Sequence, residues 1–172
     1  MKSAPNIKKI VHEAYERHAD ALFRYCLVNI RDREASRDIV QDTFIKTWEY
    51  LSRSEDKIDN MQAFLFRVAK NTLIDYTRKK KSGSLDELMD DGFEPTSSFS
   101  EKEDKERHLD ARRALETISQ LDIQYREVLT LRYVEDMAVK EIADLLGEKE
   151  NTVSVRIHRG ISLLKDIHNY EQ

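Results

Sequence analysis

The stretch KEIADLLGEKENTVSVRIHRGISLLK, from Lys140 to Lys165, has the pattern of two amphipathic helices joined by a tight turn. Gly147 lies between them, and glycine commonly follows the last residue of a helix because it tolerates a left-handed backbone. The first apolar stripe is Ile142, Leu145 and Leu146, and the second is Val153, Ile157, Ile161 and Leu164. Helices this close in sequence must bury their stripes against each other, which predicts a helix-turn-helix.

The second helix carries polar and basic side chains opposite its apolar stripe. At about 100° per residue, this side comprises Thr152, Val155, Arg159 and Ser162, flanked by Ser154, Arg156 and His158. In a helix-turn-helix this face enters the major groove of DNA. The alternative is a pair of surface helices in a bundle, whose polar face meets only water.

The composition predicts an all-α protein. The 172 residues include only two prolines and four glycines, while 36% are charged and 40% hydrophobic. Such a chain favours amphipathic helices. No stretch has the roughly 20 apolar residues that span a bilayer, and the first residues lack a signal-peptide core, so we expect a cytoplasmic protein.

Charge is unevenly distributed along the chain. The balance of basic over acidic residues is +5 for residues 1–81, −6 for residues 82–107 and −3 for residues 108–172. The middle segment is rich in serine and glycine and has no helical period, which is typical of a flexible linker. We therefore predict two small helical domains, 1–81 and 108–172, joined by the acidic linker 82–107. A domain of charge −3 needs help to bind DNA, because affinity for DNA comes mostly from phosphate neutralisation.

The front domain is predicted to contain three helices. Apolar spacing places the first over residues 6–30, as one helix or two, the second over residues 33–52, and the third from a cap at Asn60 to Lys80. Trp48 is expected in the core. The inward residues of the third helix are Met61, Phe64, Leu65, Val68, Thr72 and Leu73.

The third helix also carries a basic flank. Arg67, Asn71 and Arg78 are aligned at spacings of four and seven, and Lys79 continues the run toward Lys81. This pattern indicates contact with a phosphate backbone. The alternative is a solvated helix end, whose cations also suit the helix dipole.

No pattern indicates catalysis, and we predict that the protein is not an enzyme. The five histidines and the single cysteine, Cys26, lack metal-ligand spacing, and there is no phosphate-binding glycine motif. We therefore expect no catalytic residue, no metal, no cofactor and no small-molecule substrate.

Three segments in order resemble one family. ASRDIVQDTFIKTWEYL (Ala35–Leu51) and AFLFRVAKNTLIDYTRKKK (Ala63–Lys81) are similar to region 2 of bacterial RNA polymerase sigma factors, and LDIQYREVLTLRYVEDMAVKEIADLLGEKENTVSVRIHRG (Leu121–Gly160) is similar to region 4. Together they resemble the extracytoplasmic function (ECF) group of the sigma-70 family. The resemblance implies a factor that binds core polymerase, directs it to promoters and helps to open the duplex.

The resemblance also implies roles for individual residues. The residues that would face the β′ clamp helices of core polymerase are Asp38, Gln41 and Asp42. The loop Arg53–Asn60 with Asn71 would capture a flipped base of the −10 element. The residues that would contact the DNA backbone there are Arg67, Arg78 and Lys79. The −35 base contacts would be Ser154, Val155, His158 and Arg159, with Thr152, Arg156 and Lys149 nearer phosphates.

The implied partners are core polymerase, through its β′ and β subunits, promoter DNA and an anti-sigma factor, which would hold the protein at the membrane. Two other classes of function fit the residues. One is a polymerase-independent helix-turn-helix regulator, although the front half shows no sensing or dimerising pattern. The other is a protein-binding helical adaptor whose basic helix end is incidental.

Overall fold

The computed structural model describes residues 4–54, 57–83 and 113–170, with side chains over 7–54, 57–82 and 113–168. Every regular element within those residues is helical, which confirms the predicted all-α class.

The chain divides into two compact units, Met1–Met89 and Asp90–Gln172. The division falls inside the predicted linker, 82–107. Ser82 and Gly83, the first residues of that segment, continue the third helix instead. Residues 84–112, which include the rest of the linker and the start of the predicted back domain, lie outside the described residues.

The N-terminal unit is built from α1 (Ala4–Ile30), α2 (Arg33–Arg53) and α3 (Met61–Gly83), each packed against the other two. The residues predicted to form one helix or two form a single one, α1. The core is apolar, and its largest fully buried side chains are Leu22, Tyr25, Val28, Leu65 and Phe66. The rings of Tyr25 and Phe66 meet edge to face, with centroids 5.3 Å apart, which joins α1 to α3.

Local capping sets the start of two of these helices. Asp32 follows Arg31, which has a left-handed φ of 53°, and Asp32 Oδ1 accepts the Ala35 amide at 3.0 Å at the start of α2. The predicted cap of α3 is confirmed, because Asn60 Oδ1 accepts the Ala63 amide at 3.0 Å. A short polar side chain in this position satisfies one of the free amides in the first turn of a helix.

Two expectations about the core need correction. Trp48 is 39% exposed rather than buried, so the prediction that it packs in the core is wrong. Its neighbours Phe44 and Leu51 fill the inner stripe of α2, which leaves Trp48 at the edge of the helix packing. Phe66 is fully buried although it falls outside the predicted inward set, because α3 faces both α1 and α2 and buries a wider arc.

The described part of the C-terminal unit begins with α4, helical over 113–119, followed by α5 (Ile123–Leu129). A single π-helical turn (Thr130–Val134) extends α5, and α6 (Val139–Leu146) and α7 (Glu150–Tyr170) complete the unit. α7 packs against both α5 and α6. The fully buried residues at these contacts include Val128, Leu129, Ile142 and Val153.

Gly160 sets how closely α7 approaches α5. A Cβ placed on this residue would lie 2.8 Å from Leu129 Cδ1 and 3.4 Å from Tyr125 Cβ. The first distance is too short for two carbon atoms, so a side chain at this position would require the Leu129 side chain to shift. Gly160 is itself buried, so it lies on the inward side of α7 with Val153 and Ile157.

In the described ranges, no helix is long and apolar enough to cross a membrane. No group of three or more histidine, cysteine, aspartate or glutamate side chains is placed to hold a metal ion in the same part of the chain. Cys26 is buried, and this burial raises the pKa of its thiol to about 12.

Candidate nucleic-acid interface

The segment 139–170 folds as a helix-turn-helix, which confirms the prediction from its two apolar stripes. Gly147 ends α6 with a left-handed φ of 67°, and the Glu148 amide donates to the Ala143 carbonyl at 2.9 Å. Ala143 is only 2% exposed, so its small side chain lies at the helix contact. The start of α6 is held by Glu141, whose Oε2 accepts the Ala138 amide at 2.8 Å.

The outer face of α7 is exposed as predicted. Its side chains are Thr152, Ser154, Val155, His158 and Arg159. Inward, Val153 and Ile157 are buried, whereas Ile161 and Leu164, in the second half of the predicted stripe, are only partly covered. Lys149, in the turn before the helix, is also exposed, so polar and basic groups cluster at the first half of α7.

Arg156 differs from the other candidates. Its Nη1 lies 2.8 Å from Glu148 Oε1, and the two side chains are 26% and 28% exposed. The other carboxylate oxygen, Glu148 Oε2, is buried and has no hydrogen-bond partner among the described residues. The sequence predicted Arg156 as a cation directed at DNA, whereas the structure pairs it with a carboxylate of the turn.

A second candidate surface is the basic face of α3. Its predicted members, Arg67, Asn71, Arg78 and Lys79, are all exposed. Arg78 forms an ion pair with Asp75, one turn earlier on the same helix. Ile74 lies between Asn71 and Arg78 and is 46% exposed, an apolar surface residue that the charge pattern did not reveal.

The structure describes part of the loop before α3, which the family resemblance implies acts together with Asn71. Glu55 and Asp56 lie outside the described residues. Lys57 and Asp59 are exposed, and Ile58 is partly buried.

Two hydrogen bonds attach α3 to α2. Lys46 Nζ donates to Thr72 Oγ1 at 2.8 Å, and the Tyr76 hydroxyl donates to Asp32 Oδ2 at 3.0 Å. Partial burial raises the pKa of Tyr76, and its hydrogen bond with the Asp32 carboxylate and the nearby negative charge raise it further. Lys80 Nζ lies 6.0 Å from the centroid of the Tyr76 ring, so the basic end of α3 is tied to the first turn of α2.

A third surface, the acidic face of α2, differs in charge from the surfaces of α3 and α7. Its predicted members, Asp38, Gln41 and Asp42, are exposed. Ile45 and Trp48 continue the same side of the helix and are 49% and 39% exposed. Carboxylates next to exposed apolar side chains suit a protein partner rather than a nucleic acid, because the phosphates of DNA would be repelled.

Comparison with known families separates these surfaces into two regions. The family model of sigma-70 region 2 matches residues 14–83, and that of sigma-70 region 4 matches residues 111–164, so together they cover most of the chain. The chain belongs to the sigma-70 family. The region 2 match includes the faces of α2 and α3, and the region 4 match includes the helix-turn-helix.

Similar sigma factors match along almost their whole length. SigL of Mycobacterium tuberculosis, an ECF RNA polymerase sigma factor, is 28% identical over 156 residues, which cover 91% of this chain and 87% of SigL. SigV of Bacillus subtilis is 26% identical over 165 residues, which cover 96% and 95% of the two chains. These relatives place this sigma factor in the ECF group.

Two solved structures share the fold. RpoE of Bartonella quintana, in complex with the anti-sigma factor NepR, superposes with a TM-score of 0.74 at 19% identity, covering 95% of this chain and 99% of RpoE. CnrH, in complex with the cytosolic domain of CnrY, gives a TM-score of 0.66 at 23% identity, covering 96% and 91%.

As a sigma factor, this protein serves transcription initiation with RNA polymerase and promoter DNA, and sigma factors are not enzymes. Sequence reasoning located its candidate surfaces but missed the contacts that support them. The signal for Gly160 was the presence of a glycine inside the second helix of the predicted helix-turn-helix. The Arg156–Glu148 and Tyr76–Asp32 pairs had no local signal, because neither pair lies within a single helix.

Proposed function

We propose that this sigma factor divides promoter-specific initiation among three surfaces. The acidic face of α2 binds core polymerase, the basic face of α3 reads and opens the −10 element, and the outer face of α7 reads the −35 element. The observation that carries the proposal is that all three sets of side chains are exposed on helices within the two matched sigma regions. Residues 1–81 then act as region 2, residues 108–172 as region 4, and residues 82–107 as the linker between them.

The acidic face is suited to the β′ clamp helices. Asp38 and Asp42 offer carboxylates one helical turn apart, and Gln41 adds an amide beside them. Ile45 and Trp48 add apolar area next to these charges. Interfaces commonly combine such a partly apolar centre with polar groups at the rim.

The basic face is suited to an unpaired strand. Flipping a base out of the duplex costs a few kcal/mol of stacking, so the protein must supply compensating contacts. The amide of Asn71 both donates and accepts hydrogen bonds, as recognition of a base edge requires. Arg67, Arg78 and Lys79 supply positive charge for the phosphates on either side.

The outer face of α7 is suited to the major groove. Ser154, His158 and Arg159 offer hydrogen-bonding groups, and Val155, 41% exposed, offers an apolar contact for a thymine methyl group. Lys149 and Thr152 lie nearer the start of the helix, where phosphates approach, whereas Arg156 is paired with Glu148. Residues 108–172 carry a net charge of −3, so this unit depends on polymerase for much of its affinity.

The regulation proposed for this protein is sequestration by an anti-sigma factor, which holds it in the cytoplasm or at the membrane. RpoE of Bartonella quintana, which shares the fold, was solved with the anti-sigma factor NepR. No catalytic residue, metal or cofactor enters the proposed function, and the chemistry of RNA synthesis belongs to the polymerase.

The direct test is transcription by purified core polymerase from a promoter library, with and without the full chain. We expect the chain to produce initiation from a subset of templates that share two upstream elements. Unchanged initiation, together with tight binding of the chain alone to duplex DNA, would indicate a polymerase-independent regulator. Unchanged initiation without DNA binding would indicate a protein-binding adaptor.

A further inference from the structure

The ion pair between Glu148 and Arg156 links the turn of the helix-turn-helix to its second helix. Glu148 immediately follows the left-handed Gly147, and Arg156 lies almost two turns into α7. At 2.8 Å the pair is a charge-assisted hydrogen bond, and both side chains are about three-quarters covered. The Arg156 guanidinium is therefore held against the turn.

This pair is not needed to form the turn. Backbone hydrogen bonds from Gly147 and Glu148 to the Ala143 carbonyl already close the end of α6. The pair also leaves Glu148 Oε2 buried without a partner among the described residues, which is costly for a carboxylate. A partly buried ion pair with an unsatisfied atom contributes little to folding stability, so stability does not explain why Glu148 and Arg156 are paired.

The pair changes the charge that α7 presents to DNA. Three basic side chains lie in the turn before α7 or in the first half of that helix: Lys149, Arg156 and Arg159. Within the described residues, only Arg156 of these three has an ion-pair partner. Non-specific binding depends almost entirely on such charges, whereas specific binding also uses contacts with base edges.

We propose that Glu148 lowers the affinity of α7 for DNA of any sequence by withholding Arg156 from DNA phosphates. The inference rests on the proposed role of α7 in reading the −35 element. Base-reading side chains such as Ser154 and Arg159 are left unchanged by the pair. The pair therefore weakens the binding of the free chain to DNA of every sequence by one phosphate contact, without changing which bases are read.

The test measures binding of the full chain to a random-sequence duplex, without polymerase, by fluorescence anisotropy at several salt concentrations. Glu148→Gln keeps the size of the side chain and removes its charge, which frees Arg156. We expect the slope of log K against log salt to steepen by about 0.9, the contribution of one added phosphate contact. Near 0.1 M salt this corresponds to an affinity increase of roughly eightfold.

Two controls separate this mechanism from general repulsion between carboxylates and DNA. Glu150→Gln removes a charge two residues away that has no ion-pair partner in the described ranges, and it should leave the slope unchanged. In an Arg156→Gln background, Glu148→Gln should have no effect on the slope.

Several results would overturn the proposal. An equal slope change in Glu150→Gln, or a full effect of Glu148→Gln without Arg156, would show that Glu148 acts only as a nearby negative charge. A loss of helix content in Glu148→Gln by circular dichroism would show that the pair serves only to hold the turn. Because these measurements contain no polymerase, failure of promoter-directed initiation would refute the proposed function without altering the slopes.

Discussion

The Tyr76 hydroxyl donates a 3.0 Å hydrogen bond to Asp32 Oδ2, the carboxylate that also caps the start of α2 through Oδ1. The Asp32 side chain thus forms hydrogen bonds with both the first turn of α2 and the C-terminal part of α3. The relative position of the acidic and basic faces depends on this link, because the two faces lie on these two helices.

Tyr76→Phe should destabilise the N-terminal unit by about 1 kcal/mol, since it removes a partly buried hydrogen bond to a charged group. The single tryptophan, Trp48, lies in this unit, so its fluorescence during urea unfolding of the full chain measures the effect. Tyr15→Phe is the matched control, because Tyr15 keeps its ring contact with Phe44 without its hydroxyl. Equal stability of both variants would show that the Tyr76 bond contributes nothing.

Asn71→Ala should impair promoter opening more than binding to core polymerase. The amide is exposed on the basic face of α3, whereas the proposed polymerase contacts lie on α2. Opening can be followed by permanganate reactivity of promoter thymines, and core binding by competition. Gln41→Ala, which removes an amide from the acidic face, should show the reverse order; an equal loss of both activities in Asn71→Ala would indicate misfolding.

Asp42→Asn should weaken binding to core polymerase by up to about 1 kcal/mol, the upper end of what an exposed charge pair contributes, and the loss should shrink at high salt. Binding of labelled sigma factor to core enzyme at two salt concentrations measures it. Glu16→Gln, an exposed carboxylate on α1, is the control and should bind normally. A comparable loss in Glu16→Gln would mean that overall charge, rather than the acidic face, is recognised.

Gly160→Ala should destabilise the C-terminal unit by about 1 kcal/mol. Alanine favours helix by roughly that amount over glycine, but its Cβ would meet the fully buried Leu129 side chain at 2.8 Å, and overpacking costs about 1–3 kcal/mol. Thermal unfolding followed by circular dichroism measures the net change. In a Leu129→Ala background the same substitution should be stabilising; destabilisation there would place the strain elsewhere.

Arg159→Ala should reduce the preference for the correct −35 sequence by roughly 1–3 kcal/mol, as expected for a side chain that reads a base. Lys149→Ala should instead weaken binding to all sequences and lower the salt slope by about 1, as expected for a phosphate contact. Holoenzyme binding to wild-type and mutated −35 elements distinguishes the two effects. An unchanged preference in Arg159→Ala would exclude it as a base reader.

Local patterns were sufficient to predict where the chain is helical and which of the candidate side chains on α2 and α3 are exposed. The stripes around Gly147 predicted α6 and α7, and Asn60 predicted the start of α3, because caps and helical periodicity depend on residues within one or two turns. The exposed candidates on α2, α3 and α7 follow from the same periodicity. Their roles with polymerase and DNA came from the family resemblance and stay predictions.

Contacts between helices decided the rest. Trp48 matches the period of the inner stripe of α2, yet it is 39% exposed, while Phe66 is buried because α3 contacts two helices. The sequence thus determined where this protein is helical and which charges each helix carries. Only the tertiary structure decided which cations are available, since Glu148 lies in the turn before α7 and the path of that turn brings its carboxylate to Arg156.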